Sequence, residues 1–236
     1  DLGGQVRRVG TVQTEIKLQA TVKGLIAMDY TAVGLGADDL KLPAATLLGA
    51  ALEPYLDRTL PLTSANVALF GFDSGATTRY RTVTVGGVKV GVTAVLGDAY
   101  GKTIVNEGIT VLPAEQALRE VVEQMKADKC DGHVLLSYAS PDETSALARK
   151  FPEFQYVVTA GGADEPPGKL AVVEGGKAGL VEIGHKGQYA AVVAFFDDPQ
   201  TPVRYQRVPL DARWAESPPM HQLLVEYQDQ LRVAGF

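Results

Sequence analysis

Apolar positions along this chain follow two alternating rhythms. Residues 13–28 carry Ile16, Val22, Leu25 and Ile26 at helical spacing, and a short strand-like run over residues 31–35 leads into the loop Gly36-Ala37-Asp38-Asp39. Residues 44–57 read as a helix and residues 65–70 as a buried strand. The alternating stretches 81–85 and 88–95 flank Gly86-Gly87, a pair that tolerates the positive φ of a tight hairpin turn. Pro113 suits a first helical turn and Glu115 its positive end, after which Leu118, Val121, Val122 and Met125 form one apolar face down to Lys129. Residues 132–137 read as a buried strand, followed by a helix to Lys150 and a strand over residues 155–159. From Lys169 to Leu210 the pattern becomes successive strands with Gly-rich turns. The last helix opens with Ser217 as N-cap and Pro218, presents Met220, Leu223, Leu224, Tyr227 and Leu231 on one side, and stops at Gly235.

β-α units thus give way to antiparallel strands, which predicts an α/β fold: a sandwich of mixed sheets flanked by helices. With 46% hydrophobic residues in 236, the chain can bury a substantial core. Nothing in it resembles a linker, so one domain is expected over residues 1–216, with residues 217–236 a helix packing on it or leading to a further domain. The longest apolar stretch, residues 189–196, is too short to span a bilayer. A net charge of −6 argues against a nucleic-acid surface. Cys130 is the one cysteine, which excludes an intrachain disulfide, a Cys-rich zinc site and a haem-attachment motif, and a small core residue is its expected role. The chain opens on Asp1 without a basic or apolar leader, so any targeting peptide has been removed or was never included.

Six segments in order carry a resemblance: residues 28–36 (MDYTAVGLG), 61–67 (PLTSANV), 85–92 (VGGVKVGV), 131–137 (DGHVLLS), 154–162 (FQYVVTAGG) and 181–189 (VEIGHKGQY). Together they resemble the catalytic domain of 5′-nucleotidases and related calcineurin-like metallophosphoesterases. That resemblance implies a four-layer α/β/β/α sandwich and, in the family, two divalent cations held by Asp, His and Asn that activate water and clamp a phosphate. In this chain most of those ligand positions are vacated. Asp1 corresponds to the bridging aspartate of the Gly-Asp motif, and an Asp-x-His motif would lie upstream of it or be absent. In the Gly-Asn-His-Glu loop the Asn is Ala37 and the general-acid His is Asp38, followed by Asp39. Leu-Ser-His becomes Leu136-Ser137-Tyr138, and Gly-His-x-His becomes Gly161-Gly162-Ala163-Asp164.

Three histidines remain: His133 within an apolar strand, where a core role is expected, His185 in a turn and His221 on the terminal helix. Asp1, Asp38, Asp39, Asp164 and Glu165 would supply oxygen ligands only, a set suited to magnesium, manganese or calcium. No metal cofactor is the default expectation, these being solvated loop carboxylates. The loop 161–169 is no phosphate loop, because Pro166 and Pro167 lack N–H donors and Leu170 follows Lys169. Ser64 and Ser137 have no histidine base at a recognisable offset, and Arg7-Arg8 and Arg79-Tyr80-Arg81 read as solvated surface. Loss at three separate motif loops points to an inactive scaffold or interaction domain; the alternatives are a carboxylate-based metal hydrolase and a nucleotide or small-anion binding module. Residues 227–232 followed by Gly235 resemble the junction ahead of a multihaem cytochrome region in exported bacterial proteins. This implies an extracytoplasmic location, periplasmic or exported, with docking to that haem domain as a role.

Overall fold

The computed structural model describes residues 1–6, 12–52, 60–160, 164–184, 187–196, 200 and 203–236. Its centre is a six-stranded mixed sheet built from β2 (Arg81–Val85), β3 (Val88–Leu96), β5 (Gly132–Tyr138), β6 (Tyr156–Thr159), β7 (Ala171–Val172) and β8 (Gly179–Glu182), in the order β2-β3-β5-β6-β8-β7. The four inner strands run parallel and the two edge strands antiparallel to their neighbours. Two antiparallel pairs accompany it, β1 (Val67–Leu69) with β4 (Ile109–Val111) and β9 (Tyr189–Phe195) with β10 (Val203–Pro209). The helices are α1 (Val12–Ala27), α2 (Ala44–Ala51), the single turn α3 (Asp98–Gly101), α4 (Ala114–Ala127), α5 (Pro141–Lys150) and α6 (Pro218–Val233). None of the described helices is long and apolar enough to cross a membrane.

Strand alternation sorts the core into layers. Along β5, Leu135 packs with Leu118, Val121 and Met125 of α4 and Leu147 of α5, whereas Leu136 faces the other way toward Leu2 and Ala32. Residues 32–34 form the second β-layer: Val33 bridges Leu62, and Thr63 bridges Thr78. Ala32 faces the large sheet, and its neighbour Val33 packs with Leu18, Val22 and Leu25 of α1 and Leu47 of α2. This is the mixed α/β architecture expected, a central mixed sheet flanked by helices. α6 lies along α1, with Met220 Sδ 4.0 Å from where a Cβ on Gly24 would sit.

Local chemistry explains most boundaries. Gly86 and Gly87 hold φ of 57° and 86°, the turn the hairpin needs. Ser140 caps α5 by accepting from the Glu143 N–H at 3.2 Å, and Pro141 begins the helix. Ser217 occupies the N-cap of α6, but its side chain makes no capping bond. The strand expected over residues 65–70 is shorter, Val67–Leu69, because Phe70 turns into left-handed backbone at φ 56°. The helix expected over residues 44–57 ends at Ala51, and residues 53–59 lie outside those described.

Candidate functional site

Three of the matched segments meet at the C-terminal end of β5, where residues 1–6, 34–39 and Tyr138 come together. Asp39 organises the meeting. It is 2% exposed, and its carboxylate accepts the backbone N–H of Gly4 (2.6 Å), Val6 (2.8 Å) and Gly36 (2.8 Å). Burial pushes its carboxyl above the ordinary range, against the opposing pull of the Gly36, Gly4 and Val6 N–H groups. Asp38 turns outward and pairs with Lys41 at 2.6 Å. Asp1 Oδ1 accepts the Gly3 N–H at 2.7 Å and the Gln5 side-chain amide at 2.6 Å. Ala37 is buried in the cluster around α1 and α2.

Tyr138 fills the middle. A Cβ placed on Gly36 would lie 2.7 Å from Tyr138 Cε2, and one on Gly4 3.4 Å from it, so the phenol ring is seated directly on two side-chain-free stretches of backbone. Tyr100 packs edge-on against the same ring at 5.4 Å between centroids, and the Ala37 N–H reaches the phenol oxygen. Burial, with Asp38 and Asp39 nearby, holds the phenol above its ordinary range. An aromatic side chain thus stands where the resemblance calls for an imidazole ligand.

The remaining candidates do not join this cluster into a ligand set. Glu165 is tied to the β9–β10 hairpin, pairing with Arg207 at 3.0 Å and accepting from the Tyr189 hydroxyl, while Arg207 lies 4.9 Å over the Tyr189 ring. The backbone of Asp164 packs against Gly184. Gly162 and His185 lie outside the described residues, as do Arg7 and Arg8. Among the described residues no three His, Cys, Asp or Glu side chains converge as metal ligands. The structure therefore does not bring Asp1, Asp38 and Asp164 together as such a group.

His133 sits on the opposite face of the sheet, 8% exposed, with its ring edge-on to Phe154 and its backbone N–H donating to Gln155 Oε1 at 2.6 Å. It is a core histidine whose pKa burial depresses. His221 pairs with Glu216 at the surface, and burial pushes the half-buried Cys130 thiol up, away from nucleophilic use. Ser137 shares a buried hydroxyl–hydroxyl bond of 2.9 Å with Thr144, and Ser64 caps the N–H groups of Asn66 and Val67. Arg79, expected to be solvated, instead ties down α4 through Glu120 at 2.7 Å and the Ala117 carbonyl. Asn66 is the residue sequence reasoning passed over: fully buried, it donates to the carbonyls of Leu96 and Leu112 and accepts the Leu96 N–H, stitching the approach to β1 to the ends of β3 and β4.

No protein-family model and no curated protein matches the chain in sequence. Solved structures do match in shape. The 5′-nucleotidase precursor of Thermus thermophilus superposes with a TM-score of 0.75 at 17% identity, over 91% of this chain and 46% of that one. The calcineurin-like phosphoesterase YfkN of Bacillus subtilis gives 0.70 at 14% identity, over 98% and 82%. The fold is the one these phosphoesterases share. NAD nucleotidase of Haemophilus influenzae follows at 0.68 and 13% identity, and this chain spans about half the length of it and of the Thermus nucleotidase, 55% and 46%.

Proposed function

We propose that this domain keeps a phosphoesterase architecture without its hydrolytic chemistry and serves as a scaffold or interaction domain. The observation that carries the reading is the Tyr138 ring seated on Gly36 and Gly4. A phenol whose pKa burial raises is neutral at ordinary pH and is a poor substitute for an imidazole ligand. The nearby carboxylates are committed elsewhere: Asp39 to three backbone N–H groups, Asp38 to Lys41 and Asp1 to the Gly3 N–H and the Gln5 amide. This donor set does not fit a two-cation centre. The interaction role draws support from α6, whose Leu224, Val225 and Val233 are exposed on a helix with no buried residue.

The test is elemental analysis of the purified protein together with turnover of a generic phosphodiester and a 5′-nucleotide in the presence of magnesium, manganese or calcium. Neither stoichiometric metal nor turnover is expected. Chelator-sensitive turnover with about one or two cations per chain would overturn the reading. Thermal stabilisation by a nucleotide without turnover would replace it with a binding module.

A further inference from the structure

The six-stranded sheet ends on β2, whose outer edge pairs with no strand among the described residues. The hairpin decides which of its backbone groups face outward. Across a two-residue turn the flanking pair, Val85 and Val88, exchanges both of its hydrogen bonds, and bonded pairs recur at every second residue, Val83 with Val90 and Arg81 with Val92. Thr82 and Thr84 therefore direct their N–H and C=O groups away from β3. Lys89, which stands opposite Thr84, shows the same alternation from the other side. Its N–H donates to the Asp131 carboxylate at 2.8 Å and its carbonyl accepts the Asp131 N–H at 2.7 Å, both away from β2. The outward N–H and C=O groups of Thr82 and Thr84 have no partner among the described residues.

Open strand edges are ordinarily blunted by proline, lysine, a bulge, an inward-pointing charge or a covering element. β2 has neither proline nor lysine, and it pairs with β3 over all five residues without a bulge. Its single charge, Arg81, stands at the end away from the turn. At the other end of the sheet β7 has only two residues, too few to present a comparable edge. The outward groups of β2 are also arranged symmetrically, because Thr82 and Thr84 flank Val83 in a Thr-Val-Thr run.

We propose that β2 is the pairing edge of a dimer, in which a second copy of this chain adds its own β2 antiparallel across a two-fold axis at Val83. In that register Thr82 and the partner's Thr84 exchange two hydrogen bonds, and Thr84 and the partner's Thr82 exchange two more, so every outward group of these residues is satisfied. The four threonine side chains meet on one face, a favourable cross-strand pairing. On the other face Val83 meets its own equivalent, and Arg81 lies across from the partner's Val85. That valine is 63% exposed in the single chain, and the aliphatic stem of the arginine covers it. The two Arg81 positions stay about 14 Å apart, four strand residues along the join, so they do not oppose the pairing. An unrelated peptide could meet the same backbone groups, but a second copy returns threonine to threonine and valine to valine in the one register. The contact is isologous and uses up the edge of both copies, so it closes at a dimer. A five-residue join is smaller than a standard interface, which makes the dimer a weak one that forms as concentration rises.

Sedimentation velocity on the 236-residue chain, from about 5 μM to about 1 mM, reads the association, and hydrogen–deuterium exchange over the same range reads its place. A shift from monomer to dimer is expected. Exchange at the Thr82 and Thr84 amides should slow by about tenfold or more in the dimer, while the Val83 amide, already bonded to β3, changes far less. Thr82→Lys with Thr84→Lys sets like charges across the join and should weaken the dimer by about tenfold. Thr82→Lys with Thr84→Glu sets opposite charges across it and should preserve the dimer. Both pairs of changes fall on exposed side chains, so the circular dichroism of the chain should stay the same. A chain that remains monomeric to about 1 mM overturns the proposal. So does a dimer that leaves exchange at Thr82 and Thr84 unaltered, slow exchange at those amides that is independent of concentration, or equal weakening by the two double variants.

Discussion

Asp39→Ala is the sharpest probe of how residues 1–6 and 34–39 are held together. The carboxylate accepts N–H groups from Gly4, Val6 and Gly36 and is 2% exposed, so truncation leaves three donors without a partner in a dry setting. Bonds to a charged acceptor contribute about 1.5–3 kcal/mol each, or roughly 4–9 kcal/mol gross for the set. Removing the buried charge restores part of the desolvation cost, leaving an expected loss of about 3–5 kcal/mol. For a domain of this size that corresponds to a fall in Tm of about 6–20 °C. Asp39→Asn keeps the shape and one acceptor oxygen and should fall between the two. Asp38→Ala is the control, since its partner Lys41 is exposed and such pairs are worth about 0–1 kcal/mol. Equilibrium denaturation with scanning calorimetry reads all three. If Asp39→Ala came within about 1 kcal/mol of Asp38→Ala, the loops would be held by packing and the carboxylate would not be their organiser.

Asn66→Ala should cost about 2–4 kcal/mol in urea denaturation, because it strands the carbonyls of Leu96 and Leu112 and the Leu96 N–H in the core. Tyr138→His restores the residue type of the family's ligand, yet calorimetric titration with manganese should show no stoichiometric binding, and stability should drop by about 1–3 kcal/mol. His133 carries a pH signature: its folded pKa is depressed below 6.5 by burial, so the unfolded chain takes up the proton first. Its contribution is complete above about 6.5 and is lost as pH falls through the lower folded value, and His133→Leu should flatten the slope of stability against pH in that window.

Local periodicity carried much of the fold. The face Leu118, Val121, Val122, Met125 is the buried side of α4, and the Gly86-Gly87 hairpin forms between the strands that flank it. What the sequence did not reveal depends on contacts between distant residues. Asn66 meets partners 30 and 46 positions away and Asp39 reaches back 35 to Gly4, separations that leave no trace in a local pattern. The substitutions at Ala37, Asp38 and Tyr138 were legible as departures from the family's loops. That Asp39 is a backbone organiser, and Tyr138 a filler, followed only from burial and geometry. The cleft that Val134, Leu136, Val158, Val181 and Val193 line was invisible for the same reason: its walls come from β5, β6, β8 and β9, each ordinary taken alone.

The seating of Tyr138 on Gly36 couples what each position can hold. A ring that touches backbone this closely makes both neighbours dependent on it: a side chain at Gly36 would strike Tyr138 and Gly4 N, the latter at 2.5 Å, while a smaller residue at 138 would leave a hole above two bare glycines. A change at either position alone therefore lowers stability unless the other changes with it. Positions 36 and 138 are a locked pair, free to vary together and not singly.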